Sequence, residues 1–271
     1  MTRPRLIKSI LVGVLAGFVA GLFGVGGGIL MVPALVMVMQ MDQRTAHGTS
    51  LAAVVPIGIA STLSYALAGE VDWAVGACLA VGAVGGAVLG THLLRFLPQR
   101  VLGFAFSALL LLTAARMIFD NSNASGRAAL SVMTAVVLVL VGALAGIVAG
   151  LLGVGGGIIM VPVMVVGFDM TSVLAKGTSL AVIVPTAIMG TWRNLKNGNA
   201  DLQVAVASGL AGVVSRLLGA KLSILMPEQL ATALFAALLV VVAARMLWQL
   251  WRDRDAPPAD DVGIEDSNVT S

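Results

Sequence analysis

Long stretches without an acidic or a basic residue constrain this chain more than any other feature. Eight such runs lie at 9–41, 45–69, 73–94, 101–115, 128–168, 177–192, 202–215 and 229–244. About 20 apolar residues suffice to cross the hydrocarbon core of a bilayer as a helix. Backbone in lipid must pair its own N–H and C=O groups, so only helices and closed barrels can span a membrane.

The composition favours helices over barrel strands. Hydrophobic residues make up 59% of the 271 residues, charged residues 11% and aromatic residues 5%, with a mean hydropathy of +1.02. Thirty-two glycines suit tightly packed helices, whereas lipid-facing barrel strands carry girdles of aromatic residues. We therefore predict an all-α integral membrane protein. The single cysteine, Cys78, excludes a disulfide within the chain and a cysteine-based zinc site.

The chain contains two copies of one unit. The sequence GLFGVGGGILMVP begins at Gly21, and GLLGVGGGIIMVP begins 129 positions later at Gly150. The same offset relates the Gly-Thr-Ser-Leu segments that begin at Gly48 and Gly177. Each copy holds about four hydrophobic segments. Internal repeats of this kind are typical of secondary transporters, whose binding site lies where the repeats meet.

The repeat also predicts the domain boundaries. We expect a first transmembrane repeat over 1–120 and a second over 121–251. Residues 252–271 are acidic and contain two prolines, which predicts a disordered cytoplasmic tail. The basic and then apolar start of the chain resembles a signal peptide, but its apolar run is too long, so we interpret it as an uncleaved first span.

Each repeat begins with a run that is too long for one straight span. The runs 9–41 and 128–168 both contain a glycine cluster, and about 12 apolar residues follow it. Twelve helical residues reach only about 18 Å, which predicts a half-helix or a re-entrant segment after a break at the cluster. Depending on how the broken run is counted, the chain has eight or ten membrane segments.

Loop charges favour inverted repeats. The loop region with Glu70 and Asp72 corresponds to the region of the second copy that contains Arg193, Lys196 and Asn197. Equivalent loops of opposite character indicate that they face opposite sides of the membrane. On this hypothesis both termini are cytoplasmic, together with Arg44, Arg95, Arg100, Arg193 and Lys196. The residues that count against it are Arg116, Arg127, Lys176 and Lys221.

The glycine clusters are the first candidate binding elements. Unwound backbone survives in a membrane only where protein or a wet cavity encloses it. Glycines can expose amide N–H groups at the start of the half-helices, and the positive ends of these helices favour an anion. The candidate residues are Gly26, Gly27, Gly28, Gly155, Gly156 and Gly157. Tight helix packing by small residues is the alternative explanation.

The Gly-Thr-Ser segments supply the second set of candidates. We expect Thr49, Ser50, Thr178 and Ser179 at the start of apolar helices, with their hydroxyl groups donating to a substrate; simple helix capping is the alternative. The residue before each segment is His47 in one copy and Lys176 in the other. The predicted site is therefore asymmetric and positively charged, unless Lys176 is an interfacial anchor and His47 a neutral loop residue.

Acidic residues are absent from the middle of every apolar run. They stand at the run ends, namely Asp42, Glu70, Asp72, Asp120, Asp169, Asp201 and Glu228. Cation and proton sites in membranes use buried carboxylates, so the pattern disfavours a cation transporter. Arg216 is the deepest basic residue, and its counterpart in the first repeat is Ala87. Snorkelling of its side chain to the interface is the simplest explanation.

The two Gly-Leu-x-Gly-Val-Gly-Gly-Gly-Ile-x-Met-Val-Pro motifs, each followed by Gly-Thr-Ser-Leu, resemble the sulfite exporter family (TauE/SafE) of bacterial inner-membrane permeases. The resemblance covers about residues 10–250. It implies export of a small sulfur-containing anion, such as sulfite or sulfoacetate, driven by a proton gradient or the membrane potential. A passive anion channel and a permease for another small anion remain alternatives.

Other classes of function fit the sequence less well. Two histidines, one cysteine and no deep carboxylates leave almost no residues for nucleophilic or metal chemistry, so we do not expect an enzyme. We predict no cofactor, no bound metal and no nucleic-acid partner; the partners are the small anion and the lipid bilayer. The sequence does not fix the oligomeric state.

Overall fold

The computed structural model describes residues 3–23, 26–93, 104, 107–108, 111, 114–115, 126, 131–153 and 155–252. Its helices within these residues are α1 (Arg3–Phe23), α2 (Gly28–Met39), α3 (Gln43–Leu67), α4 (Trp73–Leu93), α5 (Val132–Leu152), α6 (Gly157–Phe168), α7 (Ser172–Lys196), α8 (Leu202–Leu225) and α9 (Glu228–Arg252). The described chain forms no named strand. The predicted all-helical class is confirmed.

Helix bounds recur at the offset of the sequence repeat. Helices α5, α6 and α7 begin and end 129 positions after α1, α2 and α3, and α8 begins 129 positions after α4. Both long first runs divide at their glycine clusters, as predicted. The half-helices α2 and α6 have 12 residues each.

Six of the described helices are long and apolar enough to cross a membrane: α1, α3, α4, α5, α7 and α8. Helix α9 is the fourth segment of the second repeat, and its counterpart over 101–115 lies mostly outside the described residues. Arg95, Arg100, Arg116, Arg127 and Asp120 also lie outside them. The predicted tail does too, apart from Arg252, where α9 ends.

Polar side chains lie inside the bundle and large apolar side chains lie on its surface. Leu67, Val81 and Leu140 are among the exposed apolar residues, whereas Ser61 and Ser208 are fully buried. The rest of the interior is apolar, so the feature that differs from a soluble protein is the large apolar surface, and lipid is the medium that matches it.

Glycine seams hold the outer helices together. A methyl group at Gly13 of α1 would lie 2.1 Å from the carbonyl oxygen of Ser208 in α8, and one at Gly17 would lie 2.2 Å from that of Gly212. In the equivalent pair, a methyl group at Gly146 of α5 would lie 2.0 Å from the carbonyl oxygen of Ala83 in α4. Only glycine permits such close contact between two backbones. Small residues at helix interfaces allow helices to associate in lipid through this contact.

The equivalent helices α3 and α7 run antiparallel. Gly48, near the start of α3, lies against Asn194 near the end of α7, and Gly177, near the start of α7, lies against Tyr65 near the end of α3. Gly58, between these contacts, faces Val184. Opposite directions for equivalent helices are what inverted repeats require.

Basic residues gather at one end of the bundle. Arg5 at the start of α1 forms an ion pair of 2.9 Å with Asp201, which caps α8. The starts of α1, α3 and α8 therefore share an end with the last turn of α7. We call it the basic end and define it by Arg5, Arg44, Arg193 and Lys196. Glu70, Asp72, Lys176 and Lys221 lie toward the opposite end.

Cysteine labelling tests the antiparallel arrangement. In a Cys78→Ser background, we expect Glu70→Cys and Asn197→Cys to react with an impermeant maleimide from opposite sides of the membrane. The reason is that Glu70 lies against Gly177, and the 20 positions from Gly177 to Asn197 correspond to about 30 Å of helix. Lys196→Cys should label with Asn197→Cys as a matched control. Labelling of positions 70 and 197 from one side would contradict the inverted arrangement.

Candidate functional site

Left-handed glycines form both helix breaks. The φ angles are 79° at Gly26, 72° at Gly27, 85° at Gly155 and 76° at Gly156. Residues with a Cβ rarely adopt this conformation, so the backbone turn itself requires glycine here. Helices α2 and α6 begin directly after these turns.

Close packing is a second reason for glycine at two of these positions. A methyl group at Gly27 would lie 2.7 Å from the carbonyl oxygen of Ala16, and one at Gly156 would lie 2.9 Å from that of Ala145. The turn of each break therefore rests on the preceding helix of its own repeat. Tight packing, which the sequence offered as the alternative to anion binding, therefore contributes at these two residues beside the requirement of the turn.

The two breaks meet at the middle of the bundle. A methyl group at Gly26 would lie 3.1 Å from Cδ1 of Ile183, and one at Gly155 would lie 3.3 Å from Cγ2 of the same side chain. Val54 also lies against Gly26. Val54 and Ile183 are each the twelfth residue of a 25-residue helix. We call the region around Ile183 between the two breaks the central position.

Two helix N-termini face this central position. The turns before α2 and α6 provide no side-chain cap in the described structure. The first N–H groups of a helix lack intrahelical acceptors, and together with the helix dipole they carry about half a positive charge. Two such ends at one buried place produce a positive potential there, which favours an anion.

The threonines of the Gly-Thr-Ser segments connect the repeats. The hydroxyl of Thr49 accepts a hydrogen bond of 2.9 Å from the amide of Asp201, and the hydroxyl of Thr178 accepts one of 2.9 Å from the amide of Asp72. Each threonine therefore holds the start of a helix from the other repeat. Since both hydroxyls act as acceptors in these bonds, each keeps its proton for donation to another group.

The equivalent serines differ. The hydroxyl of Ser50 donates to the carbonyl oxygen of Gly153 at 3.1 Å, beside the second helix break. Ser179 is fully buried, and its hydroxyl has no hydrogen-bond partner in the described structure. A buried donor without a partner costs free energy, so this hydroxyl is available to a ligand.

The predicted position of these segments at helix starts is wrong. Helix α3 begins at Gln43, and Asp42 caps it by accepting a hydrogen bond of 3.1 Å from the amide of Thr45. Hydrogen bonds from Thr45 hold the pKa of Asp42 below its ordinary value. Helix α7 begins at Ser172 after its cap, Thr171. The first turns contain polar and basic residues, so the charge-free runs began later than the helices did.

The residues before the Gly-Thr-Ser segments, His47 on α3 and Lys176 on α7, lie on the N-terminal side of Val54 and Ile183. Lys176 is buried with 9% of its surface exposed, which is not the environment of an exposed interfacial anchor. His47 is half-buried and packs against Gly153, since a methyl group there would lie 2.9 Å from its Cα. His47 lies seven positions before Val54, and Lys176 seven positions before Ile183, about 10 Å along the axis.

The described acidic residues lie at helix ends, as the sequence indicated. Asp42, Asp72 and Asp201 cap or precede helices, Asp169 follows α6, and Glu70 lies between α3 and α4. No group of three histidine, cysteine or acidic side chains suited to a metal ion occurs within the described residues.

Sequence reasoning missed two residues of the interior. Ile183 separates the two helix breaks, and an isoleucine in an apolar run carries no signal of that role. Arg216 is 2% exposed, and its guanidinium donates to the hydroxyl of Ser64. Snorkelling to the interface, the expectation from its sequence position, does not describe this buried side chain. Its one sequence signal is its place within an apolar run.

Together, these features define a polytopic helical membrane protein whose two similar halves enclose broken helices, the architecture of secondary transporters. The family model for the sulfite exporter TauE/SafE matches residues 1–117 and 137–268. The chain belongs to this family of membrane transporters.

Curated relatives match the chain along most of its length. A probable membrane transporter protein of Xylella fastidiosa strain 9a5c is 27% identical over 260 residues, which are 93% of this chain and 98% of the relative. The probable membrane transporter protein YunE of Bacillus subtilis is 23% identical, with 89% of this chain and 96% of the relative covered. A similar protein of Haemophilus influenzae is 26% identical, with 89% and 97% covered. No solved structure matches the chain.

Substitution of Gly155 tests the helix break. We expect Gly155→Ala to lower stability by about 1–2 kcal/mol because of the left-handed backbone, and further because its methyl group would press on Ile183. Adding Ile183→Val should recover only the second part. Thermal unfolding in detergent measures both effects. Gly85→Ala is the matched control, since a methyl group at Gly85 has no neighbour within 4 Å; equal unfolding temperatures for both alanine variants would contradict the assignment.

Proposed function

We propose that this protein is a secondary transporter that exports a small sulfur-containing anion, sulfite or an organosulfonate such as sulfoacetate, across the bacterial inner membrane. One observation carries the proposal: two half-helices, one from each repeat, begin without side-chain caps on either side of Ile183. The sulfur chemistry of the substrate comes from the family description.

The substrate on this proposal binds at the central position. Its oxygens accept hydrogen bonds from the amides at the two breaks and from the free hydroxyl of Ser179. Charge-assisted bonds from backbone amides in a water-poor site are stronger than bonds between neutral groups. Lys176 adds long-range attraction, and His47 is its less charged counterpart. The contributing glycines are Gly26, Gly27, Gly28, Gly155, Gly156 and Gly157, with Thr49, Ser50 and Thr178 supporting them.

Ile183 suggests how access alternates. Its side chain lies between the breaks, so an anion at the central position displaces it or binds beside it. The equivalent position in α3 is Val54, and the two helices cross at these residues. We infer that small shifts of α3 against α7 open the central position toward one end at a time. Moving one negative charge across the membrane is worth about 2.3 kcal/mol per 100 mV, enough to drive export of an anion from a negative interior.

The basic end supports an orientation. Loops rich in Lys and Arg stay in the cytoplasm during insertion. We propose that the end with Arg5, Arg44, Arg193 and Lys196 faces the cytoplasm, which places the N-terminus there. Helix α9 begins near the end of α8 at the opposite face and runs 25 residues, so its last turn returns to the cytoplasmic side.

Flux in proteoliposomes tests the proposal. Purified protein is reconstituted, and the movement of sulfite, sulfoacetate, sulfate and chloride is measured under imposed pH and voltage gradients. We expect saturable movement of sulfite or sulfoacetate that follows one gradient, with empty liposomes as control. Currents that do not saturate would indicate a passive channel. Absence of movement for both sulfur anions would contradict the proposed substrate class.

The serine pair separates substrate binding from structure. We expect Ser179→Ala to raise the KM for transport several-fold while stability changes little, because its hydroxyl has no protein partner to lose. Ser50→Ala is the matched control at the equivalent position, and it should lose about 1 kcal/mol of stability with its bond to Gly153. Transport kinetics and thermal unfolding measure the two effects. Unchanged kinetics in Ser179→Ala would remove this hydroxyl from the site.

On this proposal, Lys176 contributes to substrate binding through its charge. We expect Lys176→Ala to raise the KM several-fold and Lys176→Arg to retain most of the affinity, since attraction by a buried cation depends on its charge. Lys221→Ala, which removes an exposed charge toward the same end, should leave the KM unchanged. Equal KM values for Lys176→Ala and the original protein would show that the lysine does not attract the substrate.

A further inference from the structure

Arg216 is a buried cation without an acidic partner in the described structure. It lies in α8 within the apolar stretch Leu202–Leu222, and 2% of its surface is exposed. Its guanidinium donates to the hydroxyl of Ser64, and its Nε has no hydrogen-bond partner. Burial of a guanidinium is costly unless an anion compensates the charge. Charged residues at membrane depth are for this reason usually functional.

The equivalent contact between the repeats also contains a guanidinium, but on the other helix of the pair. The repeat offset pairs Ser64 with Arg193, and Arg216 with Ala87. Nη1 of Arg193 donates at 3.1 Å to the carbonyl oxygen of Val88, the neighbour of Ala87. The α3–α8 contact and the equivalent α7–α4 contact therefore each contain one arginine. Packing symmetry alone does not produce this result, because the two arginines occupy different positions of the repeat.

The two arginines lie toward opposite ends of the bundle. Ser64 follows Val54, and Arg193 follows Ile183, by ten residues, about 15 Å of axis, which places Arg193 in the last turn of α7. Since α3 and α7 are antiparallel, the two arginines lie on opposite sides of the central position. Ser64 is exposed, so the partner of the Arg216 guanidinium is itself at the surface.

We propose that Arg216 and Arg193 are two staging sites for the transported anion, one on each side of the central position. The ligand is a small oxyanion, and this inference rests on the proposed function. A guanidinium presents a planar fork of donors that matches the oxygens of such an anion, and it keeps its charge when buried. The passing anion compensates the buried charge of Arg216, which takes the place of a resident carboxylate.

Moving the charge from α8 of the second repeat to α3 of the first repeat tests this assignment. Arg216→Ala removes the cation, and Ser64→Arg combined with Arg216→Ala restores it from α3, as the second repeat places Arg193 on α7. With sulfite as the probe in proteoliposomes, we expect Arg216→Ala to slow transport at low concentration on the order of tenfold. The double variant should recover most of the rate, and Arg216→Lys only part of it, since an ammonium keeps the charge but lacks the fork of donors.

Thermal unfolding in gluconate buffer distinguishes a structural role of Arg216 from a role in anion binding. Because the cation has no resident acid, Arg216→Met should unfold at or above the temperature of the original protein. Added sulfite should then stabilise the original protein more than the variant, as preferential binding to the folded state requires. A lower unfolding temperature for Arg216→Met, with no recovery of transport in the double variant, would make Arg216 a packing residue and overturn the proposal.

The outcomes separate this inference from the proposed function. Sulfite transport by Arg216→Ala at the original rate would overturn the staging role and leave the exporter intact. If the original protein neither moves sulfite and sulfoacetate nor is stabilised by sulfite, both proposals fail. If sulfite stabilises the original protein more than Arg216→Met but no sulfur anion moves, the anion site at Arg216 stands and the export function fails.

Discussion

Unwound backbone inside a membrane must be enclosed by protein, and the rest of this structure follows from that constraint. The breaks at Gly26 and Gly155 leave amide groups that lipid cannot satisfy. Helices α3 and α7 cover them from the middle of the bundle, while the glycine seams bring α1 against α8 and α4 against α5 closely enough to close the outside. The small residues at the seams and the bulky ones at the surface thus keep two stretches of unpaired, polar backbone away from hydrocarbon.

The two halves have equivalent helices but different polar groups. Ser50 and Ser179 occupy equivalent positions, and only the first has a protein acceptor in the described structure. Lys176 replaces His47, and both arginines belong to the second repeat, Arg193 to α7 and Arg216 to α8. A perfectly symmetric site would present the same face to both compartments. On the proposed function, these differences give the anion unlike surroundings on the two sides of the central position.

Much of the fold could be predicted from the sequence, because a repeat with a fixed offset transfers each inferred boundary to its partner. The half-helices after the glycine clusters followed from length alone. The starts of α3 and α7 could not be found from charge-free runs, since their first turns contain Arg44 and Lys176. Both breaks meet at Ile183 because of the way α3 packs against α7. The sequence of neither helix specifies this packing by itself. Burial of Arg216 is likewise a tertiary property, as the same residue at a helix end could reach water.

The threonine bonds between the repeats have a consequence for how the protein is made. The hydroxyl of Thr49 holds the amide of Asp201, which is 152 residues later in the chain. When the first half leaves the ribosome, its helix α3 therefore has no partner for this group, and the half-built core stays open until α8 enters the bilayer. The equivalent bond of Thr178 to the amide of Asp72 likewise joins the two repeats. Each repeat therefore completes the start of a helix in the other, and neither can form these bonds by itself.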